Sequence, residues 1–316
     1  AYPATEGREP INPRPLGEAA IFRYAQAYTI GFLTYSEGCN DDVNKTIWSA
    51  LGWNPEANVT DVLRDYSRYF IGDRYEKDFA QGLLALERNW RGALFTNVNV
   101  NATLKRFQEM EKTASSQLQQ NWRFQQALYR AYYDAYTRNR LIYETALENE
   151  AMSRLRDAKK SGLSAAMSEA ETILDRSGTN RISVEWRARV FELAEALFKS
   201  IKMQLSVPLY KAIAVERGAN LDNIDAPLNS RVWLKQQLAE IRELPDETAR
   251  LQRIDEILNW TAPGPGGFYD DLGNVQRQPH LLRGPGFEKD PRCMASSMID
   301  FGYKNGPLSW WNNAGT

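Results

Sequence analysis

The chain has 316 residues, 43% of them hydrophobic and 25% charged, and a formal net charge of −1. These proportions are those of a globular chain long enough for one large or two ordinary domains. Charges of both signs are interspersed without a run of five or six alike, so nucleic acid is not expected as a partner, nor is a polybasic membrane patch.

No apolar stretch approaches the roughly 18 to 20 residues of a membrane span, and the N-terminus lacks the charged and apolar regions of a signal peptide. The sequence opens on Ala1 rather than Met, which suggests a processed product or a piece of something longer. With one histidine, His280, and two cysteines, Cys39 and Cys293, it cannot assemble a His-rich zinc or iron site or a CxxC cluster. A Ser-His-Asp triad would have to use His280, with no nucleophile elbow to accompany it. Chemistry, if present, therefore belongs to carboxylates. No cofactor is expected, and any metal would be oxygen-ligated calcium or magnesium. Cys39 and Cys293 either form one bridge or stand as two separate thiols. Four Asn-X-Thr sequons, at Asn44, Asn58, Asn101 and Asn259, exceed the chance number of about two without deciding a compartment.

In chain order, residues 1–16 hold four prolines and read as an extended arm. Residues 17–28 have helical spacing at Ala20, Ile21, Tyr24 and Tyr28, and lead into a β-branched and aromatic run, 29–35, that reads as a strand. Asn40 or Asp41 can then cap a helix carrying Val43, Ile47, Trp48 and Leu51, and Thr60-Asp61 the next, which stops at Gly72. A third helix is expected over about 73–94, and a fourth opens at Asn101 or Thr103. From Ser116 to Arg156 apolar residues recur at three or four positions without Pro or Gly, predicting one helix on the order of 55 Å long, contacted on two sides. A helix over 163–176 follows, then a long one over 183–217 that Pro208 should kink or break near Ser206-Val207. Helices over 230–243 and 246–259, the second capped by Asp246, complete the series.

At Trp260 the composition turns to Gly, Pro and Asn, with short candidate strands at "HLLRG" and "SMIDFGY". The fold class expected is therefore mainly α: an irregular helical bundle with two long helices, a short N-terminal strand and a loop- and β-rich C-terminal tail. The boundaries fall at 1–38, 39–259 and 260–316.

Three features could carry chemistry. In "TYSEGCNDD" a carboxylate, Glu37, follows directly on the expected strand, where α/β barrels place catalytic groups. Glu37 would be acid, base or ligand, and Asn40, Asp41 and Asp42 would orient sugar hydroxyls or a cation. The structural alternative pairs Glu37 with an Arg or Lys45 and makes Asn40, Asp41 and Asp42 a helix start. Aromatic rings are the second feature: Trp122, Tyr129, Tyr132 and Tyr136 at helical spacing read as core, while Trp48, Trp53, Trp310 and Trp311, near loops or ends, suit a sugar platform. The third is "GGFYDDLGN", which reads as a tight turn or, less economically, as a calcium loop through Asp270, Asp271 and Asn274.

The succession "YSEGCNDDVNKTIWSALGWNP", a helix ending "YFIG", a long helical region and "NWTAPGPGGFYDDLGN" resembles the latter part of large bacterial polysaccharide-degrading proteins. In these a barrel related to α-glucuronidases and β-hexosaminidases precedes a helical bundle and a β-domain. The resemblance implies that 29–35 is similar to a last barrel strand, with Glu37 near the sugar-binding mouth. It also implies a secreted or periplasmic glycoside-hydrolase-like protein acting on a polysaccharide or oligosaccharide. At least six such strands would lie before residue 1, so a complete active site requires another chain or residues outside this sequence. The competing expectation is a non-enzymatic helical scaffold that binds a partner protein through its aromatic face.

Overall fold

The computed structural model describes residues 2–4, 6–33, 38–213, 218–259, 268–270 and 280–282. Among them the chain is mainly α. The helices are α1 (Pro15–Ala25), α2 (Asp42–Trp53), α3 (Val59–Phe70), α4 (Glu76–Arg88), α5 (Asn99–Thr113), α6 (Ser116–Gln119), α7 (Trp122–Arg156), α8 (Ala158–Ser161), α9 (Leu163–Thr179), α10 (Val184–Ile201), α11 (Val207–Tyr210), α12 (Arg231–Arg242) and α13 (Glu247–Leu258). Two three-residue strands, β1 (Phe268–Asp270) and β2 (His280–Leu282), pair antiparallel with Phe268 opposite Leu282.

The described residues form two compact units. One holds 6–136 together with 185–223, and the other holds 137–184 and the chain from Ile224 onward, with residues 2–4. Helix α7 contributes its first fifteen residues to the former and the rest to the latter.

In the larger unit α1 packs on α2, α3 on α4 and α4 on α5. Phe79, Phe107, Phe124, Leu63, Leu86 and Leu104 are almost wholly buried there. Residues 124–136 of α7 are buried without a break, so the helix has no solvent face over those turns. Its polar residues then need internal partners. Asp134 accepts from Arg8 Nε at 2.9 Å and from Asn89 Nδ2 at 3.0 Å, and lies 2.7 Å from Arg130 Nη2. Arg130 Nη1 in turn donates to the carbonyls of Arg8 and Pro10.

That network changes the reading of the N-terminal arm. From Glu6 to Arg14 it is no free extended strand: Glu6–Arg8 is a 3-10 turn, and Arg8, Pro10, Ile11 and Pro13 are buried. Backbone carbonyls of a proline-rich segment lack ladder partners, and Arg130 supplies them.

The expected strand over 29–35 does not form across its described part. Thr29–Leu33 belong to no strand, and Ile30 and Leu33 are fully exposed. Phe32 alone turns inward, packing edge-on against Phe22 and beside Trp48. A β-rich run without a neighbouring strand has no ladder to join, and its propensity decides nothing.

Caps moved several helix ends. Asn58, not Thr60-Asp61, caps α3 by accepting from the Thr60 and Asp61 amides. The 116–156 helix is interrupted at Asn121, whose Oδ1 takes the Arg123 and Phe124 amides while Nδ2 donates to the Phe70 carbonyl at 2.7 Å. What remains, α7, has 35 residues and spans about 52 Å. The 183–217 helix stops at Ile201, before Pro208: Lys202 takes a left-handed φ of 59°, and Ser206 then caps the short α11. Asp246 caps α13 as expected, accepting from the Ala249 amide at 2.8 Å.

The smaller unit has its own core, in which Leu174, Ala170, Leu234, Leu238 and Ile241 are buried to 1% exposure or less. Glu144 organises its connecting segment. Its carboxylate accepts from the Leu228 amide at 2.8 Å, pairs with Arg140 and Arg231, and its backbone carbonyl takes Asn229 Nδ2.

Candidate functional site

The turn Gly38–Asp41 leads into α2, and with α3 and α7 it encloses a recess in the larger unit. The recess contains about 320 Å³ of empty space, its solvent-open mouth included. Its polar lining comes from Cys39, Asn40, Asp42, Tyr66, Arg123 and Gln126, and its apolar lining includes Phe79, Leu83 and Leu86.

Asp42 is the centre of the polar group. It stands in the first turn of α2, where the helix dipole favours a carboxylate. Oδ2 accepts the Tyr66 hydroxyl at 2.6 Å and Arg123 Nε at 2.7 Å, and Oδ1 accepts Arg123 Nη2 at 3.2 Å. The guanidinium of Arg123 lies 3.7 Å from the Phe70 ring centroid and 4.0 Å from that of Trp122, so aromatic faces hold the plane of the ion pair. Burial and the Asp42 carboxylate push the Tyr66 phenol well above its ordinary value, keeping it a hydrogen-bond donor.

Cys39 has no disulfide partner among the described residues, and Cys293 lies outside them. Burial pushes the Cys39 thiol up, against the opposing influence of its backbone hydrogen bond and Gln126, so it stays protonated and is a poor nucleophile. The Cys39 carbonyl accepts Gln126 Nε2 at 3.2 Å. Asn40 Oδ1 is buried and meets no hydrogen-bond partner among the described residues.

Glu37, Trp310 and Trp311 lie outside the described residues, as do Asp271 and Asn274. Lys45, the suggested partner for Glu37, donates to the Gly38 carbonyl at 2.7 Å. Asn40 and Asp42 line the recess together, whereas Asp41 ends the turn and its side chain makes no cap hydrogen bond. Trp48 has its ring against Phe22 and Phe32 and donates its indole N–H to Glu18 at 2.6 Å. Trp53, at the far end of α2, is 93% exposed. Eleven residues are about three helical turns, so Asp42 and Trp53 share one side of α2 about 16 Å apart.

Arg123 and Tyr66 were not foreseen. Arg123 had a legible signal: a cation in the first turn of a helix opposes the dipole and calls for a carboxylate nearby. Tyr66 had none, because its spacing on α3 is that of any core ring. Among the described residues no group of three or more His, Cys, Asp or Glu side chains could hold a metal ion, and no helix is long and apolar enough to cross a membrane. Comparison of the chain with protein-family models, with curated proteins and with solved structures finds no match.

Proposed function

We propose that the chain recognises a polysaccharide or oligosaccharide along the outward side of α2, as part of a secreted or periplasmic glycoside-hydrolase-like protein. The observation that carries this reading is the pairing of two chemistries on one helix face. At one end Asn40, Asp42 and Arg123 offer directional polar groups beside a recess. At the other, Trp53 holds a flat ring in solvent where a sugar face can stack. Ser49, exposed between them, adds a hydroxyl. Glu37 precedes Gly38 directly and is the carboxylate assigned to acid or base chemistry, with the rest of its site supplied by another chain or by residues outside this sequence.

A panel of polysaccharides and aryl glycosides, offered to the wild type and to Glu37→Gln and Trp53→Ala, tests this. Binding lost in Trp53→Ala and hydrolysis lost in Glu37→Gln support the reading; a wild type that neither binds nor cleaves any glycan removes it.

A second reading, a non-enzymatic scaffold that docks a partner protein, has its own observation. Tyr24, Tyr28, Ile30 and Leu33 are 79 to 111% exposed over ten residues, an apolar concentration uncommon on a lone surface. Glycan-independent capture of a partner, abolished by Ile30→Asp with Leu33→Asp, favours it.

A further inference from the structure

Resting on the carbohydrate reading, we propose a second sugar subsite at the rim of the recess, in which the Tyr69 ring stacks on one face of a pyranose and Arg123 donates a two-pronged hydrogen bond to two neighbouring oxygens of that sugar.

A guanidinium carries five N–H donors in one plane, as a side fork on Nε and Nη2 and an end fork on Nη1 and Nη2. Asp42 takes the side fork, at 2.7 Å from Nε and 3.2 Å from Nη2. The end fork keeps its donors: Nη1 and the outer N–H of Nη2 are uncommitted among the described residues, and Nη1 is not enclosed by protein. The carboxylate fixes one edge of the plane, and the Phe70 and Trp122 ring centroids lie 3.7 and 4.0 Å from the guanidinium carbon. Two parallel donors held in this way lose little freedom on binding. They match a pair of oxygens spaced as in a vicinal diol or a carboxylate.

Tyr69 supplies the flat surface. It stands in the last turn of α3 and is 83% exposed, yet its ring meets Phe70 edge-on, at 4.7 Å and 87°. Tyr69 and Arg123 thus both contact Phe70, at 4.7 and 3.7 Å from its ring centre, so they lie within about 8 Å of each other. One pyranose with its hydroxyls covers that span. The subsite is separate from Trp53. Tyr66, three residues before Tyr69 on α3, bonds Asp42, whereas Trp53 stands about 16 Å from Asp42 along α2. A glycan long enough to reach both rings is held at two places, and its affinity rises accordingly.

Calorimetric titration with oligosaccharides of increasing length, in a neutral and a uronic series, tests this on the wild type, Tyr69→Ala, Tyr69→Phe, Arg123→Lys and Trp53→Ala. Tyr69→Ala should weaken binding of the longer oligomers about tenfold with an unmoved melting temperature, since the ring is largely in solvent. Tyr69→Phe keeps the ring and should bind as the wild type does. Arg123→Lys keeps a cation for Asp42 but has no end fork, and should also weaken binding about tenfold. The series bound more tightly identifies the oxygen pair as a diol or a carboxylate. Unchanged affinity in Tyr69→Ala or in Arg123→Lys, or equal losses in Tyr69→Ala and Tyr69→Phe, overturns the subsite; carbohydrate recognition stands if Trp53→Ala still abolishes binding. A wild type that binds no oligomer of either series overturns both.

Discussion

Arg8 and Asp134, 126 positions apart in the chain, meet at 2.9 Å with both side chains buried. Arg8 also donates to the Asn89 carbonyl at 2.9 Å, and its guanidinium lies 4.3 Å from the Trp90 ring centroid. One side chain thus fastens the N-terminal segment to α7 and to the end of α4. The two ends of the pair are not equivalent. Asp134→Ala leaves Arg8 and Arg130 buried together without their shared counter-ion, and should cost about 3–5 kcal/mol. Arg8→Ala leaves Asp134 still paired with Arg130 and should cost clearly less. Urea unfolding of the two variants decides this; equal losses would mean that Arg130 does not share the carboxylate.

The same carboxylate sets an acid-side prediction. Burial opposes ionisation of Asp134, but Arg130 and Arg8 beside it, with the hydrogen bonds from Arg8 and Asn89, outweigh burial and hold its pKa below the usual value. A folded pKa below the unfolded one stabilises above the unfolded value, about 3.9, and that contribution is lost as pH falls through the folded value. Wild type should therefore exceed Asp134→Asn in melting temperature at neutral pH. The gap should hold down to about pH 4 and then narrow. A gap that closes between pH 5 and 7 would contradict the depressed value.

Two glycines separate a rigid contact from a yielding one. A Cβ on Gly82 would lie 2.7 Å from Phe107 Cζ, in a core where Phe107 is fully buried. Gly82→Ala should cost about 1–3 kcal/mol by overpacking where α4 meets α5. A Cβ on Gly52 would lie equally close to Phe32 Cε1, but Phe32 is 49% exposed on a segment without secondary structure. That ring can move, so Gly52→Ala should cost less than about 1 kcal/mol, offset in part by alanine's better helix propensity. Thermal unfolding compares them, and the reverse order would show that Phe32 is held more firmly than its exposure implies.

Trp48 and Trp53 lie five residues apart on α2 and should respond oppositely. Trp48→Ala removes ring packing on Phe22 and Phe32 and the hydrogen bond to Glu18, and should cost about 2–3 kcal/mol. Trp53→Ala should leave stability within about 0.5 kcal/mol, since the ring is in solvent. On the carbohydrate reading, glycan binding follows Trp53 alone. Melting curves with a parallel binding measurement separate the two roles.

Helix identity was legible because it is local. The three-or-four spacing of Leu63, Tyr66 and Phe70, or of Leu234, Leu238 and Ile241, follows from 3.6 residues per turn whatever the neighbours are, and Asp246 caps α13 through an amide three residues away. What defeated local reading was partnership. Asn121 breaks the long helix because Phe70, 51 positions earlier, offers its carbonyl. Residues 29–33 hold the composition of a strand and lack another strand to pair with among the described residues.

The acidic cluster after Glu37 divides in the same way. By itself the sequence placed a helix start at Asn40, Asp41 and Asp42, because the dipole acts within one turn, although Asp41 makes no side-chain cap hydrogen bond. Only the tertiary structure decided that Asp42 bonds Arg123 and Tyr66 in the wall of a recess that Asp41 does not line. Those partners arrive from 81 and 24 positions away, and a hydrogen bond depends on the distance and angle between atoms, which spacing along the chain does not fix.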